Sequence, residues 1–174
     1  MLLSPGPRKL ALTAHVLASV GWLGAVAGFL ALAATGLNTN DELLMRGVYT
    51  SMDVIVRRAI VPLAFLSVAT GVLQGLGTRW GLFRHYWVVI KLVITVVATL
   101  VLLSELTPIH HLAAAARAGT IAGDAMRTER LSLAVHSGGG LLTLLVPTVL
   151  SIYKPRGLTR HGRRAEQSAL WTER

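Results

Sequence analysis

Long apolar runs separated by short polar stretches occupy most of the 174-residue chain. In one run, Trp87 to Leu106, about 20 residues with a rise of about 1.5 Å each span about 30 Å, the thickness of the hydrocarbon core of a bilayer. Aromatic residues, Arg84 and Lys91 flank its amino-terminal side, as they do where a helix enters a membrane. The pattern predicts an all-α integral membrane four-helix bundle with helices at about residues 10–35, 59–76, 87–106 and 131–152.

The segments between these runs are expected to lie outside the hydrocarbon core. Gly36 and the polar residues 38–41 are expected to end the first helix and cap the next one. Residues 42–56 place apolar positions at helical spacing among charged ones, which indicates an amphipathic segment that lies on the outer surface or extends the second helix outward. Pro108 is expected to end the third helix, and the pattern leaves open whether the loop from Ile109 to Arg130 is helical.

The net charge of +9 would indicate nucleic acid as the partner of a soluble protein, but its placement here favours another explanation. With the amino terminus in the cytoplasm, eleven of the seventeen Lys and Arg residues face the cytoplasm, as the positive-inside rule requires. We therefore predict a multi-pass protein of the cell's inner (plasma) membrane, with both termini cytoplasmic and no nucleic acid partner. Residues 1–153 form one transmembrane domain, and residues 154–174 form a basic, partly disordered tail attracted to anionic lipid.

Few residues inside the predicted bundle can carry chemistry. The chain has no cysteine, which excludes disulfides, thiolate metal sites and thiol catalysis. It also has no glycine-rich phosphate loop, metalloprotease HExxH motif or nucleophile elbow. The candidates are therefore the sparse polar residues of the apolar runs and their ends, namely His15, Gln74, Lys91, Glu105, His110, His111 and His136.

Depth in the membrane separates these candidates into two levels. His15 is predicted about 9 Å inside the cytoplasmic edge and His136 about 9 Å inside the opposite edge. In a core of about 30 Å they differ by about 12 Å in height, so one metal centre held directly by both is disfavoured. The inner level contains His15, Gln74 and Lys91, and the outer level contains His136, His110, His111, Glu105 and Met52.

Neutral histidine is the usual axial ligand of haem, and facing helices of a bundle commonly hold the porphyrin. His15 and His136 are therefore candidate ligands of haem b or of a metal, and His111 is a weaker metal candidate. Lys91 and Arg58 are candidate partners of the haem propionates, with Gln74 beside them. The alternatives stay open: each histidine can instead be hydrogen-bonded across the bundle, and Lys91 can extend to the headgroups.

Small residues mark two further faces. Gly21, Gly24 and Gly28 form a face of the first helix that points away from His15 and suits close contact with a helix, including one of a homodimer. Three consecutive glycines, 138–140, indicate the close approach of another helix or of a flat ligand in the fourth helix. Pro147 is expected to kink that helix.

Four short motifs stand out between about Leu10 and Leu106. They are LTAHVLASVGWLG at Leu12 to Gly24, Met52 with Arg57, Arg58, Ile60 and Pro62, Thr70 with Gly71, and Trp87 to Leu92. Together they resemble the motifs of bacterial four-helix membrane families around the haem-containing protoporphyrinogen oxidase and the copper-resistance protein D group. The resemblance implies a haem b role for His15 and a motif role for Lys91.

The chain also departs from these families. The oxidase family has a further histidine along the third helix, where this chain has Val101, Leu102 and Leu103. The chain also lacks the Cys or clustered Met residues that hold Cu(I). Our hypothesis is a membrane protein that binds haem b for membrane redox chemistry, with a membrane redox partner, or for haem handling. The alternatives are a non-enzymatic assembly factor or partner subunit, and a small transporter without cofactor.

Overall fold

The computed structural model describes residues 4–77, 81–121, 124–153, 155, 157–160 and 162–164. Helices form nearly all of this described part, and it contains no strand beyond one isolated bridge, which confirms the all-α prediction. The helices are α1 (Pro5–Asn38), α2 (Glu42–Ile55), a π-helical segment (Val56–Ile60), α3 (Val61–Gly77), α4 (Tyr86–Ser104), α5 (Leu106–Ala118) and α6 (Asp124–Tyr153).

Four stretches of helix are long and apolar enough to cross a membrane, as predicted: Pro5–Asn38, Glu42–Gly77, Tyr86–Ala118 and Met126–Tyr153. Each is longer than the roughly 20 residues that a crossing requires. Large apolar side chains point away from the bundle, among them Leu100, Leu142 and Ile152. A water-exposed surface of this kind would be unusual for a monomeric protein, whereas lipid covers it without cost. The chain is therefore a multi-pass membrane protein in contact with the bilayer.

The four apolar helices form a closed ring. Helix α1 packs against α3 and α6, and α4 packs against the same two helices from the other side. Helices α2 and α5 pack on each other at one end, where α2 also contacts α1. We call this end the distal end, and we call the end that carries the start of α1 and residues 81–86 the basic end.

The amphipathic segment between the first two spans extends the second helix. The Asp41 carboxylate accepts hydrogen bonds from the backbone N–H groups of Leu43 (2.9 Å) and Leu44 (3.2 Å), so it caps α2 as predicted. Helix α2 then buries one face in the core, formed by Met45, Val48, Tyr49 and Met52. The segment passes into α3 through the π-helical turn at residues 56–60, where the Val61 N–H bonds to the carbonyl of Val56.

Pro62 explains the position of this π-helical turn. A proline inside a helix lacks an N–H and its ring collides with the carbonyl four residues earlier. The wider turn directly before Pro62 lets the chain continue without a break, so Glu42–Gly77 is one continuous helical stretch.

Two helix ends differ from those predicted. Helix α1 continues past Gly36 and ends at Asn38, within the polar run 38–41 that was expected to help end it, and Gly36 lies against the Tyr49 ring of α2. The third span breaks at Glu105, before Pro108, and Pro108 lies in the first turn of α5, where its missing N–H costs little. The region from Ile109 to Arg130 is largely helical in its described part, as the rest of α5 and the start of α6.

Candidate functional site

Polar side chains join α1 to α3 at the basic end. The hydroxyls of Ser19 and Ser67 lie 2.9 Å apart, and the Gln74 amide donates to the carbonyl of Ala11 at 3.0 Å. Ser67 and Thr70 are buried. The polar side predicted for the second span therefore does face its neighbour, because groups that cannot reach water bond to each other.

The hydrogen bonds of His15 define which ring nitrogen carries the proton. Its Nδ1 lies 3.1 Å from the carbonyl oxygen of Ser67 and 3.1 Å from the hydroxyl oxygen of Thr70. The Thr70 hydroxyl uses its own hydrogen to bond the carbonyl of Leu66 at 2.6 Å, so its oxygen accepts from His15. Because both partners of Nδ1 are acceptors, the neutral ring carries its proton on Nδ1, and Nε2 keeps its lone pair.

His15 lines a cavity of about 120 Å³ between α1, α3 and α4. The His15 ring lies against Gly71, where an added Cβ would come within 3.2 Å of the ring carbon Cε1. Most of the lining side chains are only half-buried, so the cavity opens at the surface of the bundle. The lining residues are His15, Ser67, Val68, Gly71, Gln74, Gly75, Leu82, Trp87, Val88, Lys91, Leu92 and Thr95.

Lys91 supplies the cationic group of this cavity. Its ammonium group donates to the hydroxyl of Ser151 on α6 and lies 5.8 Å from the centre of the Trp87 ring. Ser151 lies two residues before the end of α6, so this contact is compatible both with a side chain that faces the cavity and with one that extends towards the headgroups. The cavity thus combines an imidazole lone pair with a positive charge, and both groups are held by neighbouring helices.

Histidines at the distal end have a different environment. Each lies beside a carboxylate of another element, and each side chain is about half exposed. His136 also bonds the Ser132 hydroxyl at 3.2 Å. The three pairs are His110 with Asp53 (3.7 Å), His111 with Glu129 (2.9 Å) and His136 with Glu105 (3.7 Å).

A second cavity, of about 340 Å³, lies beside these pairs and is lined by Glu105, Thr107, Pro108, His111, Glu129, Ser132 and Leu133. No three His, Cys, Asp or Glu side chains among the described residues are arranged to hold a metal ion. The distal end therefore holds paired side chains without a preformed metal centre.

The structure brings some predicted site residues together and separates others. His15, Gln74 and Lys91 line one cavity, as their common level predicted. His136 and His111 lie at the distal end, in pairs with carboxylates. Arg58 does not line the His15 cavity, because it is exposed on the π-helical segment at the far end of α3. Met52 is fully buried in the hydrophobic core.

The glycine triplet 138–140 does not have the predicted close neighbours. An added Cβ at Gly139 or Gly140 would meet nothing within 4 Å, and at Gly138 only the Leu30 side chain, at 3.9 Å. Among the described residues, only the Leu30 side chain of α1 comes near these glycine positions, so the predicted close approach of a helix backbone is not made there. On α1, Gly21 contacts Leu63, whereas Gly24 and Gly28 are open.

Sequence reasoning missed two features of the site region. Ser151 partners Lys91, although nothing in its local sequence distinguishes it from the other hydroxyl residues of the fourth span. Arg130, expected outside the membrane, is buried and bonds the sulfur of Met45. Among the described residues, neither its Nε nor the buried hydroxyl of Tyr49 has a hydrogen-bond partner. The sequence around Arg130 did not indicate that this residue is buried, because its partner Met45 lies on a different helix.

Comparisons with known proteins give no relative. No protein-family model matches the chain, and no curated protein or solved structure matches it. Any function must therefore be argued from the residues and their geometry.

Proposed function

We propose that this membrane protein binds haem b at the His15 cavity, for membrane redox chemistry or haem handling. The observation that carries the proposal is the fixed tautomer of His15. Its Nδ1–H is held by two acceptors on α3, so Nε2 is the nitrogen left to bind a metal. Metal-ligating histidines usually donate their other N–H to a carbonyl or similar acceptor, which orients the ring and raises its basicity.

The other residues of the cavity are compatible with this group. Lys91 offers a positive charge for a propionate, and Gly71 leaves the face of His15 uncrowded. Bound haem would supply one-electron chemistry, while His15 and Lys91 hold and orient it. The enclosed volume of about 120 Å³ is below the roughly 300–1,000 Å³ of sites that surround a drug-sized ligand. Haem would therefore extend beyond the cavity towards the lipid.

The separation of the histidines supports one histidine ligand at this site. His136 does not line the His15 cavity and instead lies near Ser132 and Glu105 at the distal end. We therefore infer that His136 is not the second ligand of a haem held by His15. Glu105 and Ser132 both lie beside Nδ1 of His136, so a second haem at His136 would be bound through Nε2.

The orientation in the membrane belongs to the same proposal. By the order of the four spans in the sequence, eleven of the seventeen Lys and Arg residues belong to the side that holds the start of α1, which supports cytoplasmic termini in an inner (plasma) membrane. The chain has no native cysteine, so single cysteines can be introduced and labelled from either side of the membrane. Ser51→Cys, which is exposed on α2, should react only from the non-cytoplasmic side.

An absorption spectrum tests the haem proposal. We expect a Soret band from the protein purified in detergent from haem-replete cells, and we expect His15→Ala to lose it. His136→Ala is the matched control, because it removes another membrane histidine without touching the cavity, and its spectrum should match that of the unaltered protein. Thr70→Val should keep the band and raise the reduction potential, since it removes one acceptor of Nδ1–H and so makes the imidazole a less basic ligand. A colourless protein that still fails to bind added haem would refute the proposal.

A second candidate is a cofactor-free assembly or partner subunit. The observation that favours it is that His15, His110, His111 and His136 each have a partner on another helix, so their role can be to join helices. The open glycines of α1, Gly24 and Gly28, would accept a second copy or another subunit. This candidate predicts a colourless protein in which His15→Ala lowers thermal stability, whereas the haem proposal predicts that it removes the spectrum.

A further inference from the structure

The carboxyl-terminal segment 157–164 is docked on the loop that precedes α4. His85 and Leu158 form an isolated antiparallel bridge. The Tyr86 N–H donates to the carbonyl of Gly157 at 3.3 Å, and the Thr159 N–H donates to that of Arg84 at 3.0 Å. The predicted disordered tail therefore begins with a segment that is hydrogen-bonded to the bundle.

Thr159 is the junction between this segment and the loop. Its hydroxyl donates to the carbonyl of Phe83 and accepts a hydrogen bond from the N–H of Gly162 at 3.1 Å. The hydrogen bond from Gly162 to the Thr159 hydroxyl is that of a helix cap. The Arg163 N–H also donates to the Thr159 carbonyl at 3.0 Å, which completes one helical turn. One side chain thus both attaches the segment to the loop and starts the turn that carries the arginines.

Gly162 permits the close approach of this turn. It is buried, and an added Cβ would lie 2.3 Å from the backbone oxygen of Arg84. A backbone atom cannot move aside as a flexible side chain can, so only glycine fits. The fit indicates a specific docked conformation rather than a loose basic tail.

The docked segment brings exposed arginines beside exposed aromatic rings. Arg160 and Arg163 are exposed, and the Phe83 and Tyr86 side chains of the loop are 57% and 49% exposed. We call these four residues the basic–aromatic surface. This surface lies at the basic end, where α3 and α6 end and α4 begins. It is therefore level with the headgroups of one leaflet. Aromatic rings at such a level insert among the headgroups, and arginines pair with phosphate.

We propose that the basic–aromatic surface binds the headgroups of anionic phospholipids. The location decides between this partner and an acidic protein, because Phe83 and Tyr86 emerge beside the apolar surface of α4 and would enter the bilayer interface. Clustered basic residues next to a membrane span are attracted to anionic lipid. The proposal requires insertion in a membrane, and it does not depend on haem binding.

The loop that holds the docked segment also forms part of the wall of the His15 cavity. Leu82 lines that cavity and lies against Gly75 of α3, and the next residues of the loop are those that hold the docked segment.

Native mass spectrometry of the full-length protein tests the proposal, with phosphatidylglycerol and phosphatidylcholine as the probes. We expect the protein to retain phosphatidylglycerol preferentially, and we expect Arg160→Gln with Arg163→Gln to weaken this binding by roughly fivefold for each arginine. The matched control is Arg117→Gln with Arg127→Gln, which removes the same charge from exposed positions at the distal end and should leave binding unchanged.

Two further variants separate docking from charge. Both variants keep every charge. Thr159→Val removes the hydroxyl that joins the segment to the loop, and Gly162→Ala places a methyl group against the backbone of Arg84, so each should weaken phosphatidylglycerol binding. Unaltered binding in these two would refute a docked surface and leave only the attraction of a loose tail. The proposal would be refuted if the arginine double variant and its control lost the same amount of phosphatidylglycerol binding, or if the protein retained both lipids equally. Either result would favour an acidic protein as the partner of this surface. Thermal unfolding of each variant identifies any that fails to fold, and the remaining variants decide the outcome.

Discussion

Replacing Gly36 by alanine tests the packing of α2 on the end of α1. A Cβ at Gly36 would lie 2.7 Å from Tyr49 Cε2 and 2.8 Å from both Cζ and the hydroxyl oxygen. Tyr49 is 1% exposed, so its ring has no free space into which to move. Gly28, two turns earlier on the same helix, has nothing within 4 Å of an added Cβ and provides the matched control.

The magnitude follows from two opposing terms. Alanine in place of glycine inside a helix gains about 1 kcal/mol of helix propensity at either position. Forcing a methyl group into a packed site costs about 1–3 kcal/mol, and only Gly36 carries this cost. The propensity terms cancel in the comparison, so Gly36→Ala should be less stable than Gly28→Ala by about 1–3 kcal/mol.

Unfolding by SDS in mixed detergent micelles, followed by far-ultraviolet circular dichroism, measures this difference. Tyr49→Leu removes the ring, so in the double variant the cost of Gly36→Ala should fall by at least about 0.5 kcal/mol, the scale expected for residues in contact. Equal stability of Gly36→Ala and Gly28→Ala would refute the packing of α2 on this part of α1.

Two other substitutions test the distal end by the same unfolding measurement. Arg130→Met should raise the free energy of unfolding by on the order of 1 kcal/mol, because the buried guanidinium has no carboxylate within 4.0 Å in the described part of the chain. A lower free energy of unfolding would show that the charge has a partner such as a bound anion. Asp41→Ala should lower the free energy of unfolding by about 1 kcal/mol because it removes the cap of α2, whereas Asp41→Asn should keep most of the stabilisation that the cap provides. Equal losses in both variants would contradict a capping role.

The spans were predictable from the sequence because lipid imposes a simple rule on length and polarity. A run of about 20 apolar residues can be recognised without knowledge of its neighbours. The polar side of α3 was predictable for a related reason, since Ser67, Thr70 and Gln74 share one helix face and need partners. The common level of His15 and Lys91 followed from counting residues from the membrane edges.

Features that depend on contacts between distant segments were not predictable in this way. Glycine shows the difference: Gly36 lies against Tyr49 of α2, whereas Gly24 and Gly28 are open, although all three lie in the same apolar helix. The burial of Arg130 has the same origin, because its partner Met45 lies on α2. Docking of residues 157–164 likewise depends on backbone groups of a loop more than 70 residues earlier.

The two ends of the bundle place histidine in chemically different surroundings, and this difference argues for His15 as the ligand. At the distal end each histidine has its Nδ1 within 4.0 Å of a carboxylate oxygen, and its side chain is about half exposed. The Nδ1 of His15 instead faces two neutral acceptors, and the ring shares a cavity with the Lys91 side chain. A neutral imidazole with a free Nε2 is the form that binds iron, so Lys91→Met should weaken haem retention less than His15→Ala if the lysine acts on a propionate. If Lys91→Met instead abolished the Soret band as completely as His15→Ala, the lysine itself would be a ligand.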